Sequence, residues 1–205
     1  GYDLATGAEK WSVTDMPSAC CSSPVIADGV LFFAGGSSGP EDKDVQMPTF
    51  DSMLKDLDTN KDGALSREEA EKAFAGFFDN QDANKDGKIT RDEWDAIMKF
   101  MSEGKNRAFA LKPGGTGDVT ESHVLWKKTK GLPYIASAMV YRGHYVMVKD
   151  GGIVTAYDTK TGAEVYQERA AAPGSYYASP VAANGHIYFT SLEGGAVTVL
   201  KAGSD

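Results

Sequence analysis

Cysteine and histidine, which commonly build disulfide frameworks and metal or catalytic centres, are scarce in this sequence. The two cysteines are the neighbours Cys20 and Cys21. They cannot join distant segments, so no disulfide framework is expected. The three histidines, His123, His144 and His186, show no ligand spacing and are predicted to lie at the surface or at strand edges. No Ser/His/Asp arrangement, phosphate-binding loop or pair of catalytic carboxylates can be assigned, so no catalytic residue is predicted.

Long apolar runs and clusters of basic residues are also missing. No segment approaches the roughly 18 apolar residues that identify a transmembrane helix, and no basic stripe indicates a nucleic-acid partner. No signal peptide is visible. The sequence nevertheless opens inside a strand-and-turn motif, which leaves room for a natural N-terminus upstream.

Negative charge is concentrated in one part of the sequence. The formal net charge of the 205 residues is −8. Residues 38–104 contain 17 acidic and 9 basic side chains, whereas the remainder contains 12 of each. A local excess of carboxylates of this kind is expected where bound cations offset the charge.

The acidic segment contains two 12-residue loops of nearly the same sequence, DTNKDGALSREE at 58–69 and DANKDGKITRDE at 82–93. Both match the calcium-loop pattern D-x-[DN]-x-[DN]-G-x5-E, and both have a hydroxyl side chain at position 9. Ca²⁺ takes six to eight oxygen ligands, and position 7 of such a loop supplies a backbone carbonyl. The predicted ligands of the two sites are Asp58, Asn60, Asp62, Ala64, Ser66 and Glu69, and Asp82, Asn84, Asp86, Lys88, Thr90 and Glu93.

These loops resemble the EF-hand family, which implies flanking helices. A spacing of 3.6 residues predicts three helices. Their apolar faces are Phe50, Met53, Leu54 and Leu57; Ala70, Ala73, Phe74, Phe77 and Phe78; and Trp94, Ile97, Met98 and Met101. We expect these faces to form the core of a small unit. Only 12 residues, 70–81, separate the loops, which predicts one shared helix and argues against the usual pairing of the loops through Leu65 and Ile89.

Outside the acidic segment the sequence repeats. Equivalent serines, Ser137 and Ser179, are 42 residues apart, and short β-branched and aromatic runs recur after Asp28-Gly29, Arg142-Gly143 and Asn184-Gly185. Asp-Gly and Asn-Gly are strong hairpin signals. A period near 40 residues with short strands indicates propeller blades or a related β-repeat.

The segments YDLATGAEKW at 2–11 and AYDTKTGAEVY at 156–166 resemble the pyrroloquinoline-quinone (PQQ)-like propeller repeat. The resemblance implies a mainly β chain with an α-helical insertion. It would comprise about three blades' worth of a partial β-propeller, plus an EF-hand helix-loop-helix-loop-helix. We expect propeller blades over 1–36 and 106–205, and an EF-hand pair over 37–105 inserted between two strands of one blade. The remaining blades would belong to a longer parent.

These resemblances leave three functions open. The sequence favours a calcium-binding, non-catalytic propeller scaffold or interaction protein, with Ca²⁺ ordering the insert. The alternatives are a portion of a PQQ-dependent dehydrogenase, whose active site would lie largely in other blades, and a Ca²⁺-responsive sensor. PQQ is a cofactor only under the dehydrogenase alternative, whereas two Ca²⁺ ions are expected under all three.

Partner, compartment and cysteine chemistry follow from the same resemblance. We expect a protein partner bound through the propeller surface and a periplasmic or secreted location.

PQQ-dependent alcohol dehydrogenases carry a disulfide between adjacent cysteines beside the quinone. The residues around Cys20 and Cys21 do not match that pattern, and the preferred interpretation is a pair of small buried residues at the start of a strand.

Overall fold

In the computed structural model of the protein, the described residues are 1–17, 20–36, 48–71, 76, 78–103 and 106–203, with only the backbone of 100–103. The chain divides into two compact units, Gly1–Glu41 with Gly104–Asp205, and Asp42–Glu103. The domain limits at 36/37 and 105/106 stay a prediction, because residues 37–47 and 104–105 lie outside the described part.

The described residues form mainly β-structure with helices in the inserted unit, which confirms the expected fold class. The strands are β1 (Trp11–Ser12), β2 (Val25–Ala27), β3 (Val30–Gly35), β4 (Leu65–Ser66), β5 (Lys88–Ile89), β6 (Arg107–Leu111), β7 (Gly117–Asp118), β8 (Val124–Lys128), β9 (Met139–Tyr141), β10 (His144–Lys149), β11 (Ile153–Asp158), β12 (Glu164–Arg169), β13 (Val181–Ala183), β14 (His186–Thr190) and β15 (Val197–Lys201). The helices are α1 (Phe50–Leu57), α2 (Arg67–Ala70), α3 (Phe78–Gln81), α4 (Arg91–Glu103) and α5 (Thr120–His123), with a 3₁₀ turn at Glu193–Gly195.

The described residues of the first unit form three successive antiparallel sheets. Their strand orders are β2-β3-β6-β8 in the first sheet, β12-β11-β10-β9 in the second and β13-β14-β15 in the third. Strands β3 and β6 pair side by side although residues 36–106 separate them in the sequence. Near the start of the chain, β1 pairs in parallel with β7.

Each sheet contains the hairpin that its turn dipeptide predicts. The turns Asp28-Gly29, Arg142-Gly143 and Asn184-Gly185 have φ of 49–51° at the first residue and 74–79° at the second. Positive φ at both central residues gives a turn whose twist matches that of the flanking strands. The three predicted hairpins, β2-β3, β9-β10 and β13-β14, are confirmed.

An indole ring links the first sheet to the second. Trp126 on β8 lies with its ring centroid 5.9–6.1 Å from the rings of Phe32, Tyr145 and Tyr157. Its Nε1 donates a hydrogen bond to the carbonyl oxygen of Thr159 at 3.1 Å. A Cβ on Gly162 would lie 2.7 Å from the same indole, so the glycine of the Thr-Gly turn allows the close approach.

The Asp-x-x-Thr-Gly turn is a hydrogen-bonded unit. Asp158 Oδ1 accepts hydrogen bonds at 2.8 Å from both the backbone N–H and the hydroxyl of Thr161. These bonds lower the pKa of Asp158, with the backbone bond from Thr161 the largest cause. Asp3 and Thr6 repeat the arrangement at 3.0 Å, which explains why the sequence motif occurs twice.

Equivalent serines connect successive sheets. The backbone N–H of Ser23 donates to Ser137 Oγ at 2.8 Å, and the N–H of Ser137 donates to Ser179 Oγ at 3.0 Å. One serine therefore accepts from the preceding repeat and donates to the next, which gives the 42-residue period a physical basis.

Replacing Ser137 with alanine is expected to lower the free energy of unfolding by about 0.5–1 kcal/mol, because the Ser23 N–H loses its acceptor. Ser179→Ala should cost about the same at the next sheet. Ser23→Ala serves as the control, since its backbone N–H makes the contact whichever side chain it carries. Urea unfolding monitored by circular dichroism checks this, and equal costs for Ser23→Ala and Ser137→Ala would contradict it.

The link between the two acidic loops differs from the single helix that the sequence predicted. Helix α2 ends at Ala70, α3 begins at Phe78, and Gly76 between them has φ +81°. A right-handed helix cannot pass through that backbone angle, so the prediction of one continuous helix is wrong. The predicted core residues Ala73, Phe74 and Phe77 lie outside the described residues, as does the side chain of Met101.

The two neighbouring cysteines also differ from expectation. Cys20 and Cys21 are free thiols, and both are exposed. The expectation that they are small buried residues is therefore wrong. The strand that follows does not begin until Val25, so the pair lies in the preceding loop rather than among the packed side chains of the sheet.

Candidate metal centre

The two acidic loops lie side by side through the short strands β4 and β5. Leu65 pairs with Ile89 and Ser66 with Lys88 in antiparallel register. Leu65 and Ile89 are completely buried. The expectation that the short link disfavours pairing of the loops is therefore wrong.

Apolar side chains from the four helices described in the insert pack around this pair of strands. Thr49 caps α1, and its hydroxyl accepts a hydrogen bond from the Ser52 N–H at 3.2 Å. The buried cluster consists of Phe50, Met53, Leu65, Ala70, Phe78, Ile89 and Trp94. The four helices therefore contact the paired strands through this cluster.

The first residue of each loop organises the turn that follows it. Asp58 Oδ1 accepts a hydrogen bond from the Lys61 N–H at 2.7 Å, and Oδ2 accepts one from the Gly63 N–H at 3.0 Å. Asp82 Oδ2 likewise accepts from the Gly87 N–H at 2.9 Å. The two glycines have φ of +80° and +87°, angles that side chains with a Cβ rarely adopt.

Positions 3 and 5 repeat this pattern in both loops. Asn60 Oδ1 accepts from the Asp62 N–H at 2.8 Å, and Asn84 Oδ1 accepts from the Asp86 N–H at the same distance. Asp62 Oδ1 accepts from the Ala64 N–H at 3.0 Å. The two loops therefore have the same conformation as well as the same sequence pattern.

The last residue of each loop caps a helix. In a capping box, Ser66 accepts from the Glu69 N–H while Glu69 Oε2 accepts from the Ser66 N–H at 3.0 Å and from its hydroxyl at 2.7 Å. These bonds, with one from the Thr59 hydroxyl, lower the pKa of Glu69 to about 2. Glu69 is therefore ionised near neutral pH.

Glu93 repeats this role in the second loop. Its Oε2 accepts from the Thr90 N–H at 2.9 Å and from the Thr90 hydroxyl at 2.8 Å. Desolvation is the largest single influence and raises the pKa of Glu93, but the hydrogen bonds from Thr90, Asn84 and Ala83 together lower it. The second loop therefore also ends in a carboxylate.

The donor chemistry of both loops fits a hard divalent cation. All predicted ligands are carboxylate, amide, hydroxyl or backbone oxygens, the set that Ca²⁺ prefers. Each carboxylate oxygen has about two lone-pair directions, so an oxygen that accepts one N–H, such as Asp58 Oδ2, keeps another for a metal. Glu69 Oε2 and Glu93 Oε2 each accept two hydrogen bonds and would exchange one of them for the metal. Across the described ranges, no three His, Cys, Asp or Glu side chains form a metal cluster. The ligand assignments therefore stay predictions that rest on loop conformation and donor type.

An ion pair that the sequence did not predict crosses between the loops. Lys88 Nζ lies 2.8 Å from Asp62 Oδ2. The pair lowers the pKa of Asp62 and raises that of Lys88. Strand pairing places Lys88 opposite Ser66. The signal for this contact was the lysine at position 7, which becomes informative only once the loops are known to pair.

Comparison with known families decides what kind of β-repeat the sheets are. The PQQ_2 family model, described as outer membrane protein assembly factor BamB, matches residues 100–204, just over half of the chain. The chain belongs to this family. In addition to this match, the EF-hand family model matches residues 50–72 and 74–98. The two EF-hand matches adjoin in the link, in agreement with two helix-loop-helix units.

No curated protein matches this chain. Among solved structures, it is similar to the quinohemoprotein alcohol dehydrogenase ADHIIG from Pseudomonas putida HK5, with 14% identity and a TM-score of 0.49. The match covers 95% of this chain and 21% of the dehydrogenase chain. Across the described residues, no helix has the length and apolar character needed to cross a membrane.

Proposed function

We propose that the protein is a calcium-binding, non-catalytic PQQ-like repeat protein. In this proposal two Ca²⁺ ions hold the EF-hand pair in its folded form. The observation that carries the proposal is the same oxygen-lined hydrogen-bond network in both loops, from Asp58 and Asp82 at position 1 to Glu69 and Glu93 at position 12.

Electrostatics supports a coupling between metal binding and folding. Each loop carries three carboxylates among its predicted ligands, and their mutual repulsion would oppose gathering them around one point unless a cation is bound there. A metal that binds only the folded form stabilises it by mass action. Calcium should therefore act on the stability of the insert rather than on any reaction.

The proposal assigns the insert a structural role rather than a sensor role, and its apolar core provides the reference state for testing that choice. A calcium sensor exposes an apolar groove when it binds the ion. Here Phe50, Phe78 and Trp94 are only 2–3% exposed, and Leu65 and Ile89 on the paired strands close the same cluster. A structural insert and a calcium-free sensor share such a closed core, so the response of the core to added calcium distinguishes the two roles.

The proposal includes a protein partner and an extracytoplasmic location. Val181, Val197 and Val199 on the third sheet are 64%, 54% and 50% exposed. Val181 and Val199 flank Tyr188 on one face. The corresponding face of the second sheet is buried beneath the third, with Val146 and Val148 in that core. A further sheet of the repeat or an apolar protein surface would suit the open face, and calcium outside the cytoplasm would keep the loops filled.

Calcium titration tests the proposal. Isothermal titration with CaCl₂ is expected to give two ions per chain. At free calcium near 100 times the dissociation constant, each site should add about 2.7 kcal/mol to the stability of the insert. Thermal melting with CaCl₂ and with EGTA measures this gain.

The same preparation separates the alternatives. The proposed function would be contradicted if CaCl₂ gave no heat of binding and EGTA left the melting temperature unchanged. A rise in fluorescence of a dye for apolar surfaces on adding calcium would favour a sensor instead. Unchanged dye fluorescence together with a higher melting temperature is the expected result.

A further inference from the structure

The two loops carry the same ligand types but differ at position 7. The residue there is Ala64 in the first loop and Lys88 in the second. Both would offer a backbone carbonyl to their own site, so the difference lies in the side chain. That of Lys88 crosses the paired strands and brings Nζ to 2.8 Å from Asp62 Oδ2.

This contact occupies a predicted ligand of the first site. Asp62 holds position 5, where one carboxylate oxygen accepts from the Ala64 N–H and the other contacts the Lys88 ammonium. Its counterpart Asp86 contacts the neutral Asn84 amide through Oδ2 at 3.0 Å. Ala64 has no atoms beyond Cβ, so it cannot place a cation on Asp86 in return.

We propose that Lys88 is an internal competitor for calcium in the first loop, and that the second loop therefore fills first. The inference rests on the proposed calcium binding. An ammonium group in contact with a ligand oxygen must leave or turn aside before a divalent ion can use that oxygen. Until it does, it also repels the incoming cation. Asp86 and Glu69 are the other carboxylates that act on the same ammonium.

The exposure of the pair bounds the size of the effect. The side chains of Lys88 and Asp62 are 49% and 34% exposed. Exposed ion pairs contribute little, so removing the ammonium should tighten calcium binding in the first loop by about two- to fivefold. Because salt screens exposed charges, the difference should shrink at high ionic strength.

The glycine at position 6 provides a separate reporter for each site. The N–H groups of Gly63 and Gly87 donate to Asp58 Oδ2 and Asp82 Oδ2. In ¹H–¹⁵N spectra of the full chain titrated with CaCl₂, each glycine should follow its own loop. In the unsubstituted protein Gly87 is expected to shift at lower calcium than Gly63.

Lys88→Met keeps the backbone carbonyl and removes the ammonium. It is expected to bring the Gly63 transition to about two- to fivefold lower calcium. Lys88→Ala makes position 7 alike in both loops and should act in the same direction. Lys61→Met is the matched control, because it removes one positive charge from the first loop itself and should shift Gly63 less than Lys88→Met does.

Three outcomes overturn the inference while leaving calcium binding intact. They are Gly63 shifting before Gly87 in the unsubstituted protein, no change in the Gly63 midpoint in either Lys88 variant, and an equal change in Lys61→Met. If neither glycine responds to calcium in the unsubstituted protein, the proposed function itself fails. The two failures are therefore distinguishable in one series of spectra.

Discussion

Trp126→Ala is expected to lower the free energy of unfolding of the β-unit by about 3–5 kcal/mol. The indole fills the space between the first and second sheets, packed against Phe32, Tyr145 and Tyr157. Removing it leaves a cavity that only local collapse could reduce, and it deprives the Thr159 carbonyl of its donor. Urea unfolding of the full chain in excess calcium, which keeps the insert saturated, measures the loss.

Two variants define what the indole contributes. Trp126→Phe keeps an aromatic ring but no N–H, so it should cost less than the alanine variant and still lose the bond to Thr159. Leu125 lies next to Trp126 on β8 and is 51% exposed, and Leu125→Ala should stay within about 0.5 kcal/mol of the original. A cost below about 1 kcal/mol for Trp126→Ala would show that the sheets are held together elsewhere.

Glu69→Gln and Glu93→Gln are each expected to weaken calcium binding at their own loop by on the order of 100-fold, because position 12 supplies two of the six to eight oxygens. Titration of either variant should give one tight ion per chain in place of two. In the double variant, melting of the insert should become insensitive to EGTA. Glutamine keeps the size of the side chain and one of its acceptors, so folding without metal should survive, as circular dichroism can verify.

Neighbouring acids in the same first helical turns provide matched controls. Glu68 and Asp92 are exposed and lie one residue before the position-12 glutamates. Glu68→Gln and Asp92→Asn remove the same charge without removing a predicted ligand, and both should retain two tight ions. Equal loss in the control and position-12 variants would mean that general negative charge, rather than the loop geometry, holds the metal.

Local patterns in the sequence were reliable wherever backbone chemistry acts over a few residues. The hairpins at Asp28-Gly29, Arg142-Gly143 and Asn184-Gly185 formed where predicted, because positive φ at two successive residues specifies the turn. Thr49 caps α1 for a similarly local reason. The repeat period indicated successive sheets, since equivalent serines must recur to connect them.

Reasoning from segment length failed for the link between the loops. Twelve residues suit one helix by length and by apolar spacing, but the φ of +81° at Gly76 is incompatible with a continuous right-handed helix. An isolated glycine in a helical pattern is compatible with either conformation. The choice was made by burial of Leu65 and Ile89 in a shared core, which requires the loops to meet.

The sequence by itself determined the EF-hand loop pattern, the repeat type and the hairpin positions, because loop motifs and turn chemistry are encoded in short contiguous stretches. Tertiary structure alone decided that the loops pair, that Trp126 joins two sheets, that Cys20 and Cys21 are exposed, and that Lys88 contacts Asp62. Most of these depend on residues far apart in the chain, 26 for the ion pair and 33 for the indole and its acceptor. Packing brings such residues together, and no local pattern records the distance between them.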